Sequence, residues 1–440
     1  MEKTRNYITG ISHGFHDAAI ATIDIDGNII YACHSERLSR IKNDKELYPD
    51  FNIKGVTVFY EKPFAKNIRR LYAGQSWKTR PKYDQYVKHH WSHAAGSYYT
   101  RPFDEEPVCV VIDAIGEWDT ASIWWKKKKV WSLKYPKSLG LFYSAITQAC
   151  GLKPNEDEYI TMGMAAFGDP IYNLDPYNYY HKGIKLEGKS EDLAASAQQI
   201  IQNEIIKIMQ RARKYSPYLC YGGGVALNCV ANSKIYYMFD KVWIMPSPGD
   251  SGGSLGAAAA YLDKRLKWKD AYLGTDIRNT VDPRKVVRHL LKYGVCGVAN
   301  GRAEFGPRAL GNRSLLGDPR RDIKDTVNEI KKRQKFRPFA PAILEEWADK
   351  YFTGPMNEYM QYVAKANHDF NSVTHVDGTA RVQVVKKDCR SILRLILEEW
   401  YEKTKCPMLL NTSLNIKGQP MVDNIYDAVN FEKEYNVKVF

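Results

Sequence analysis

Apolar and polar positions change period several times along the chain, and each change marks an element. ITGISHG and AAIATIDIDGNIIYACHSE run apolar or alternate with a period of two, and Asp26-Gly27 between them supplies a turn, so this segment reads as a hairpin. PVCVVIDAIGE is a second apolar strand, followed by TASIWWKKKKVWSL, a strand pair broken by the basic turn Lys126–Lys129. LAASAQQIIQNEIIKIMQRARKY repeats its apolar residues every three or four positions and predicts a helix. YLCYGGGVALNCVANSKI and PSPGDSGGSLGAAAAYL each read as a strand end, a glycine-rich turn and a helix start. Residues near 262–285 are polar without a clear period and are expected to be a linker. No long internal repeat or low-complexity segment is apparent.

Chemistry sits where these elements end. His89 and His93 in KHHWSHAAG are four residues apart, a spacing that puts two imidazoles on one helix face. Asp113 ends an apolar strand, where a charged group needs a partner, and Asp250 lies in a tight turn. Together the four make a two-imidazole, two-carboxylate set that suits iron, manganese or zinc. His90 points to another face and is expected to be structural. The residues between His89 and His93 include no glutamate, which excludes the H-E-x-x-H protease arrangement. His16, in GFHDAAI, is a candidate base or ligand contact. The turn Gly222-Gly223-Gly224 with Asn228 could cradle a phosphate.

Composition narrows the setting. The 440 residues are enough for two cores, and 44% hydrophobic with 26% charged residues describe a globular chain. No apolar run approaches the ~20 residues that cross a bilayer, and the N-terminus lacks a signal-peptide pattern, so a cytoplasmic protein without a membrane partner is expected. The eight cysteines form no C-x-x-C pair and read as reduced core thiols. A net charge of +14 favours polyanionic or phosphorylated partners, although an AT-rich genome would raise lysine too. Between 62 and 88, Lys62, Lys66, Arg69, Arg70, Lys78, Arg80, Lys82 and Lys88 alternate with Phe64, Tyr72, Trp77, Tyr83 and Tyr86, as on a nucleic-acid surface or a solvated helix face. Further on, Arg302, Arg308 and Arg313 among apolar residues, with Lys331, Arg333 and Arg337, read as a partly buried cationic cleft for a triphosphate, or as structural ion pairs.

In order, the motifs GFHDAAI, ERLSRIKND, HHWSHAAG, DAIGEW, MGMAAFG, GGGVALNCVANSKI, PSPGDSGGSLGAA, GRAEFGPRALGNRS, FRPFAP, THVDGTARVQ and NTSLNIKGQPMV resemble the O-carbamoyltransferases of the nodulation-factor and antibiotic type. That resemblance implies an α/β chain of two domains: residues 1–275, an actin-like ATPase fold of the Kae type, and residues 285–440, an α+β YrdC-like domain. It implies that carbamoyl phosphate and ATP with Mg²⁺ give carbamoyladenylate in the second domain, and that an acceptor hydroxyl displaces AMP in the first. By the same motifs, His89, His93, Asp113 and Asp250 would hold a divalent metal, Fe²⁺ ahead of Mn²⁺ or Zn²⁺. His16 and Lys42 would assist transfer, with Lys331 and Arg337 assigned to synthesis. Asn228, Gly223, Gly224, Arg308, Arg381, Asn411 and Ser413 would contact nucleotide or carbamoyl phosphate. Ala114 and Ala166-Phe167 depart from the family pattern without removing a chemical group. The acceptor is expected to be a hydroxymethylpyrimidine in DNA or as a nucleotide. The alternatives are a saccharide or secondary metabolite, and a non-catalytic nucleic-acid binder on the same scaffold. A homodimer stays open.

Overall fold

The computed structural model describes residues 6–78, 80–179 and 188–440. It divides into two units, the first Met1–Ser39 with Asn43–Lys269, the second Arg40–Lys42 with Asp270–Phe440.

The first unit is built from one sheet pattern used twice. Strands β1 (Tyr7–Ser12), β2 (Ala19–Asp24) and β3 (Ile29–His34) form antiparallel hairpins, while β4 (Val56–Phe59) and β5 (Gln85–Tyr86) add in parallel, giving the order β3-β2-β1-β4-β5. Strands β6 (Val108–Ile112), β7 (Asp119–Trp125), β8 (Lys128–Lys134), β9 (Tyr218–Gly222) and β10 (Lys241–Ile244) repeat it as β8-β7-β6-β9-β10, with the same strand directions. This duplication is the actin-like ATPase fold. Local chemistry sets the turns: Gly27 takes φ +81° in the β2–β3 turn, where the Asp24 carboxylate accepts from the backbone of Asp26 and Asn28. The parallel strands β4, β6 and β9 read as apolar runs because both faces of their sheets are covered.

Helix α1 spans Pro63–Tyr72, α2 spans His89–Thr100, α3 Ser190–Arg213, α4 Cys229–Tyr236 and α5 Asp250–Leu262. The small residues of α5 let backbones meet. A Cβ on Gly256 would lie 1.7 Å from the Ser92 carbonyl oxygen of α2, and one on Gly10 of β1 would lie 1.8 Å from the Ser254 carbonyl oxygen of α5. The helix carrying Asp250 is thereby pressed onto the helix carrying both histidines. Gly256→Val is expected to destabilise the chain by at least the roughly 1–3 kcal/mol of ordinary overpacking, because the clash is with backbone. Urea unfolding monitored by circular dichroism reads this directly.

The second unit is α+β. Its main sheet has the order β12-β14-β20-β15-β19, from β12 (Val295–Ala299), β14 (Arg313–Gly317), β20 (Met408–Ser413), β15 (Ala340–Leu344) and β19 (Gln383–Val385). Only β15 and β19 pair in parallel. Strands β16 (Phe352–Thr353), β17 (Ala364–Ala366) and β18 (Thr379–Ala380) make a small sheet, and β11 (Tyr272–Ile277) pairs with β13 (Gly301–Glu304). Alternation along the main sheet feeds two cores. Leu316, Ala342 and Leu409 pack with α6 (Pro283–Tyr293) and α8 (Leu393–Thr404), whereas Leu315, Ile343 and Leu410 pack with α7 (Lys324–Ile330) and α9 (Ile425–Tyr435). Asp282 caps α6 ahead of Pro283, and Gly294 closes it in the left-handed region.

Strand β11 corrects the expected linker over 262–285. YLGTDI is short and flanked by polar residues, and its partner lies some thirty positions away, so no local period announces it. The described residues contain no helix long and apolar enough to cross a membrane, and all eight cysteines are free thiols.

Candidate metal and nucleotide sites

Four side chains from three elements of the first unit converge. His89 and His93 project from the first two turns of α2, Asp113 follows β6, and Asp250 opens α5. All four are buried, and their donor atoms lie within 4.8 Å of one another. The edges of the group measure 2.9 Å (His89 Nε2 to Asp113 Oδ2), 3.1 Å (His89 Nε2 to His93 Nε2), 3.2 Å (His93 Nε2 to Asp250 Oδ1) and 3.5 Å for both His89–Asp250 and His93–Asp113. Donors held about 2.1 Å from one ion stand about 3.0–3.4 Å apart in octahedral or tetrahedral geometry, so the group has the dimensions of a cation site.

The surroundings orient each of the four side chains. His93 Nδ1–H donates to the Pro248 carbonyl at 3.1 Å, which fixes the tautomer that turns the Nε2 lone pair inward. Glu61 Oε2 stands 3.8 Å from His89 Nδ1, a carboxylate behind an imidazole. Glu117 accepts from the backbone N–H of both Lys62 and His89 and pins the start of α2. The Gly224 N–H donates to Asp113 Oδ1 at 3.0 Å, and the Tyr60 hydroxyl donates to Asp250 Oδ2 at 3.3 Å. Gly223 takes a φ of +92°, and a Cβ there would meet the Ile112 carbonyl oxygen at 2.3 Å, so the position favours glycine on both counts.

Electrostatics agree. Burial disfavours the His93 cation, but hydrogen bonds to Asp113 and Asp250 outweigh it and raise the pKa to about 10. Burial likewise opposes ionisation of Asp113 and Asp250, yet the two imidazoles hold both carboxyls below their ordinary range. Burial keeps His90 well below the usual histidine value, and its Nδ1 bonds Ser122 Oγ at 2.8 Å, so it is a neutral core residue. His16 is different. Its ring is 27% exposed, its Nδ1 lies 3.3 Å from Asp17 Oδ2, and against burial the Asp17 carboxylate lifts its pKa to about 9.

In the second unit Lys331, at the end of α7, is buried and donates from Nζ to the carbonyl and hydroxyl of Ser413 and to Asn415 O and Oδ1. Burial, then the charges of Arg333 and Arg337, push its pKa well down. Two residues back on β20, Asn411 donates to Ala309 O at 3.2 Å and to Gln383 Oε1 at 2.7 Å, leaving Oδ1 buried without a partner. Buried Glu304 accepts from the N–H groups of Leu310, Asn312 and Arg313, which shapes the loop that presents Arg308. Arg381, just before β19, also keeps a buried Nε–H without a partner.

Two family models match the chain. The carbamoyltransferase N-terminus covers residues 53–181 and 174–259, and the carbamoyltransferase C-terminus covers residues 287–440. Nodulation protein NolO of Bradyrhizobium diazoefficiens is 30% identical, the match spanning 78% of this chain and 75% of that one. An uncharacterised Synechocystis protein is 30% identical over 96% of this chain and 93% of its own. The chain belongs to the carbamoyltransferase family. Among solved structures, the activator of 2-hydroxyisocaproyl-CoA dehydratase from Clostridium difficile has a TM-score of 0.38 at 13% identity, covering 58% of this chain and 94% of that one.

In this carbamoyltransferase several of the expected residues also carry structural bonds. Arg313 is fully buried and donates to five backbone carbonyls, from Thr275 to Asp423, and Arg302 bonds the carbonyls of Leu273 and Gly274. Both fasten strands; neither opens into a cationic cleft. Arg333 clamps Asn328 and Pro338, and Arg337 is half-buried within range of Lys331. Asn228 caps α4 and exchanges amide hydrogen bonds with Gln198, and the Gly224 N–H donates to Asp113. Lys42 is exposed and groups with the second unit. The residues that sequence reasoning missed are Tyr60, Glu61, Glu117 and Glu304. An acidic group closing the apolar run VTVFYE is the signal that singled out Asp113, and it applies equally to Glu61.

Proposed function

We propose that this carbamoyltransferase is ATP-dependent, works in two steps and delivers the carbamoyl group to a hydroxymethylpyrimidine of DNA or of a nucleotide. In the second unit, water cleaves carbamoyl phosphate to carbamate and inorganic phosphate, and a carbamate oxygen then attacks the α-phosphorus of ATP as pyrophosphate leaves. Lys331, Arg337, Arg308 and Arg381 neutralise phosphate charge there, and the free acceptor on Asn411 takes a donor from the nucleotide. In the first unit the acceptor oxygen attacks the carbamoyl carbon, its proton is lost, and AMP departs. The residues of the four-donor group fit a divalent ion, iron first; when bound, it supplies a positive charge that holds phosphate and polarises oxygen. His16, kept cationic by Asp17, acts as a donor to the departing phosphate oxygen rather than as a base.

The observation that carries the acceptor is the outward face around α1. Phe64, Tyr72, Trp77 and Tyr86 are exposed, with Lys62 and Arg80 over the rings of Tyr86 and Tyr83 and with Lys82 and Lys88 in solvent. Exposed rings beside cations receive bases and phosphates together. Incubation with carbamoyl phosphate, ATP and 5-hydroxymethylcytosine duplex, followed by nucleoside mass analysis, is expected to show one added carbamoyl group, with activity falling steeply in salt. Turnover on a saccharide or small metabolite, without any mass gain on DNA or nucleotide and without salt dependence, would move the assignment to the small-molecule reading. That second reading rests on the same exposed rings, whose faces also receive sugars.

A further inference from the structure

Helix α1 is inside out. Its solvent face carries Phe64, Ile68, Leu71 and Tyr72, and its buried residues are Pro63, Lys66, Asn67 and Arg69. Burying cations and exposing apolar side chains reverses the usual amphipathic order, so the inner face needs a reason. Most of it is accounted for. Lys66 Nζ meets Glu61 Oε1 at 2.6 Å, and Asn67 bonds Lys78 through both halves of its amide. Lys78 in turn reaches the Gly14 carbonyl of the loop that carries His16.

Arg69 is the exception. It is 8% exposed, its Nε–H is buried without a partner, and its guanidinium makes no hydrogen bond or ion pair among the described residues. Burial, and then the charge of Arg70, pull its pKa down, and the compensating charge it feels most is that of Glu61, whose other oxygen faces His89 and whose chain neighbour Tyr60 bonds Asp250. A buried cation with no bonded anionic partner is costly, and a planar fork of donors matches a phosphate. We infer that Arg69 binds a phosphate oxyanion on the inner side of α1, near Glu61 and Tyr60. The ligand class is a phosphate monoester or its mixed anhydride with the carbamoyl group. The identity of that ligand rests on the two-step reading above; binding of the anion itself does not.

The test uses the full-length chain and two probes, inorganic phosphate and AMP, in titration calorimetry. Arg69→Met keeps the aliphatic stem and removes the charge; it is expected to weaken one phosphate-binding event about 10–100-fold, the worth of a charge-assisted hydrogen bond. Arg69→Lys is expected to keep part of it. In phosphate-free buffer the Tm of R69M is expected to equal or exceed that of the native chain, because an uncompensated buried charge has gone. Unchanged phosphate and AMP isotherms in R69M, a native chain that binds neither probe, or a lower Tm for R69M would each overturn the inference, the last by showing that Arg69 acts through packing. Carbamoyl-phosphate-dependent exchange of pyrophosphate into ATP, measured alongside, reports on the two-step reading separately and is expected to survive R69M.

Discussion

His93→Ala is expected to abolish high-affinity divalent-ion binding and to lower carbamoyl transfer by more than the roughly 10–100-fold that loss of an outer partner costs a metal site. His93 spans both carboxylates, at 3.5 Å and 3.2 Å, and stands 3.1 Å from His89. Removing it leaves Asp113 and Asp250 facing each other with one imidazole. In ion-free protein the same change is expected to cost about 3–5 kcal/mol, since a buried charge pair loses a partner. Pyrophosphate exchange in the second unit should persist in H93A, which separates a lost transfer site from a misfolded chain.

The pH dependence follows from the same group. Without an ion, the His93 pKa of about 10 exceeds the unfolded value of 6.5, so its stabilisation is complete below about 6.5 and fades as pH rises towards 10. Asp113 and Asp250 are shifted the other way; their share is present above about 4 and is lost as acid protonates them. Ion-free protein is therefore expected to lose stability as pH climbs from neutrality. An ion needs the neutral imidazole, so its affinity should rise with pH and its binding should release a proton. Calorimetry in buffers of different ionisation enthalpy measures that proton. Affinity that is flat between pH 6.5 and 9 would mean that His93 is not a ligand.

The four-residue cluster was legible from sequence because its signals are local: an i, i+4 histidine pair, a carboxylate closing an apolar strand, and an aspartate opening an Ala-rich helix. The actin-like fold was reached through motif resemblance and not through an internal repeat, since the two sheets share strand order and direction but no residue pattern long enough to register as one. Roles for the arginines were misjudged for a related reason. Arg302, Arg308 and Arg313 look alike in sequence, and only the nonlocal pairing of β11 with β13 shows which guanidinium groups are consumed by carbonyl oxygens. Segment 62–88 shows the same limit. Its alternation of basic and aromatic residues was plain, but the helix turns Lys66 and Arg69 inward, so the inner cations and the outer rings face different partners.

Lys331→Met should remove carbamoyl-phosphate-dependent pyrophosphate exchange by on the order of 100-fold or more, the usual loss when a preorganised donor to developing charge is deleted. The lysine is buried, and its ammonium protons all point at the Ser413–Asn415 segment. Burial and the nearby Arg333 and Arg337 favour its neutral form, which is the reverse of what binding a triphosphate demands. Nucleotide binding must therefore raise the pKa of Lys331 as phosphate charge arrives. Proton uptake accompanying ATP binding is the expected signature, absent in K331M. If ATP binds the native chain with no proton taken up and K331M exchanges pyrophosphate at the native rate, Lys331 only tethers Ser413. The phosphate charge would then fall to Arg337, Arg308 and Arg381.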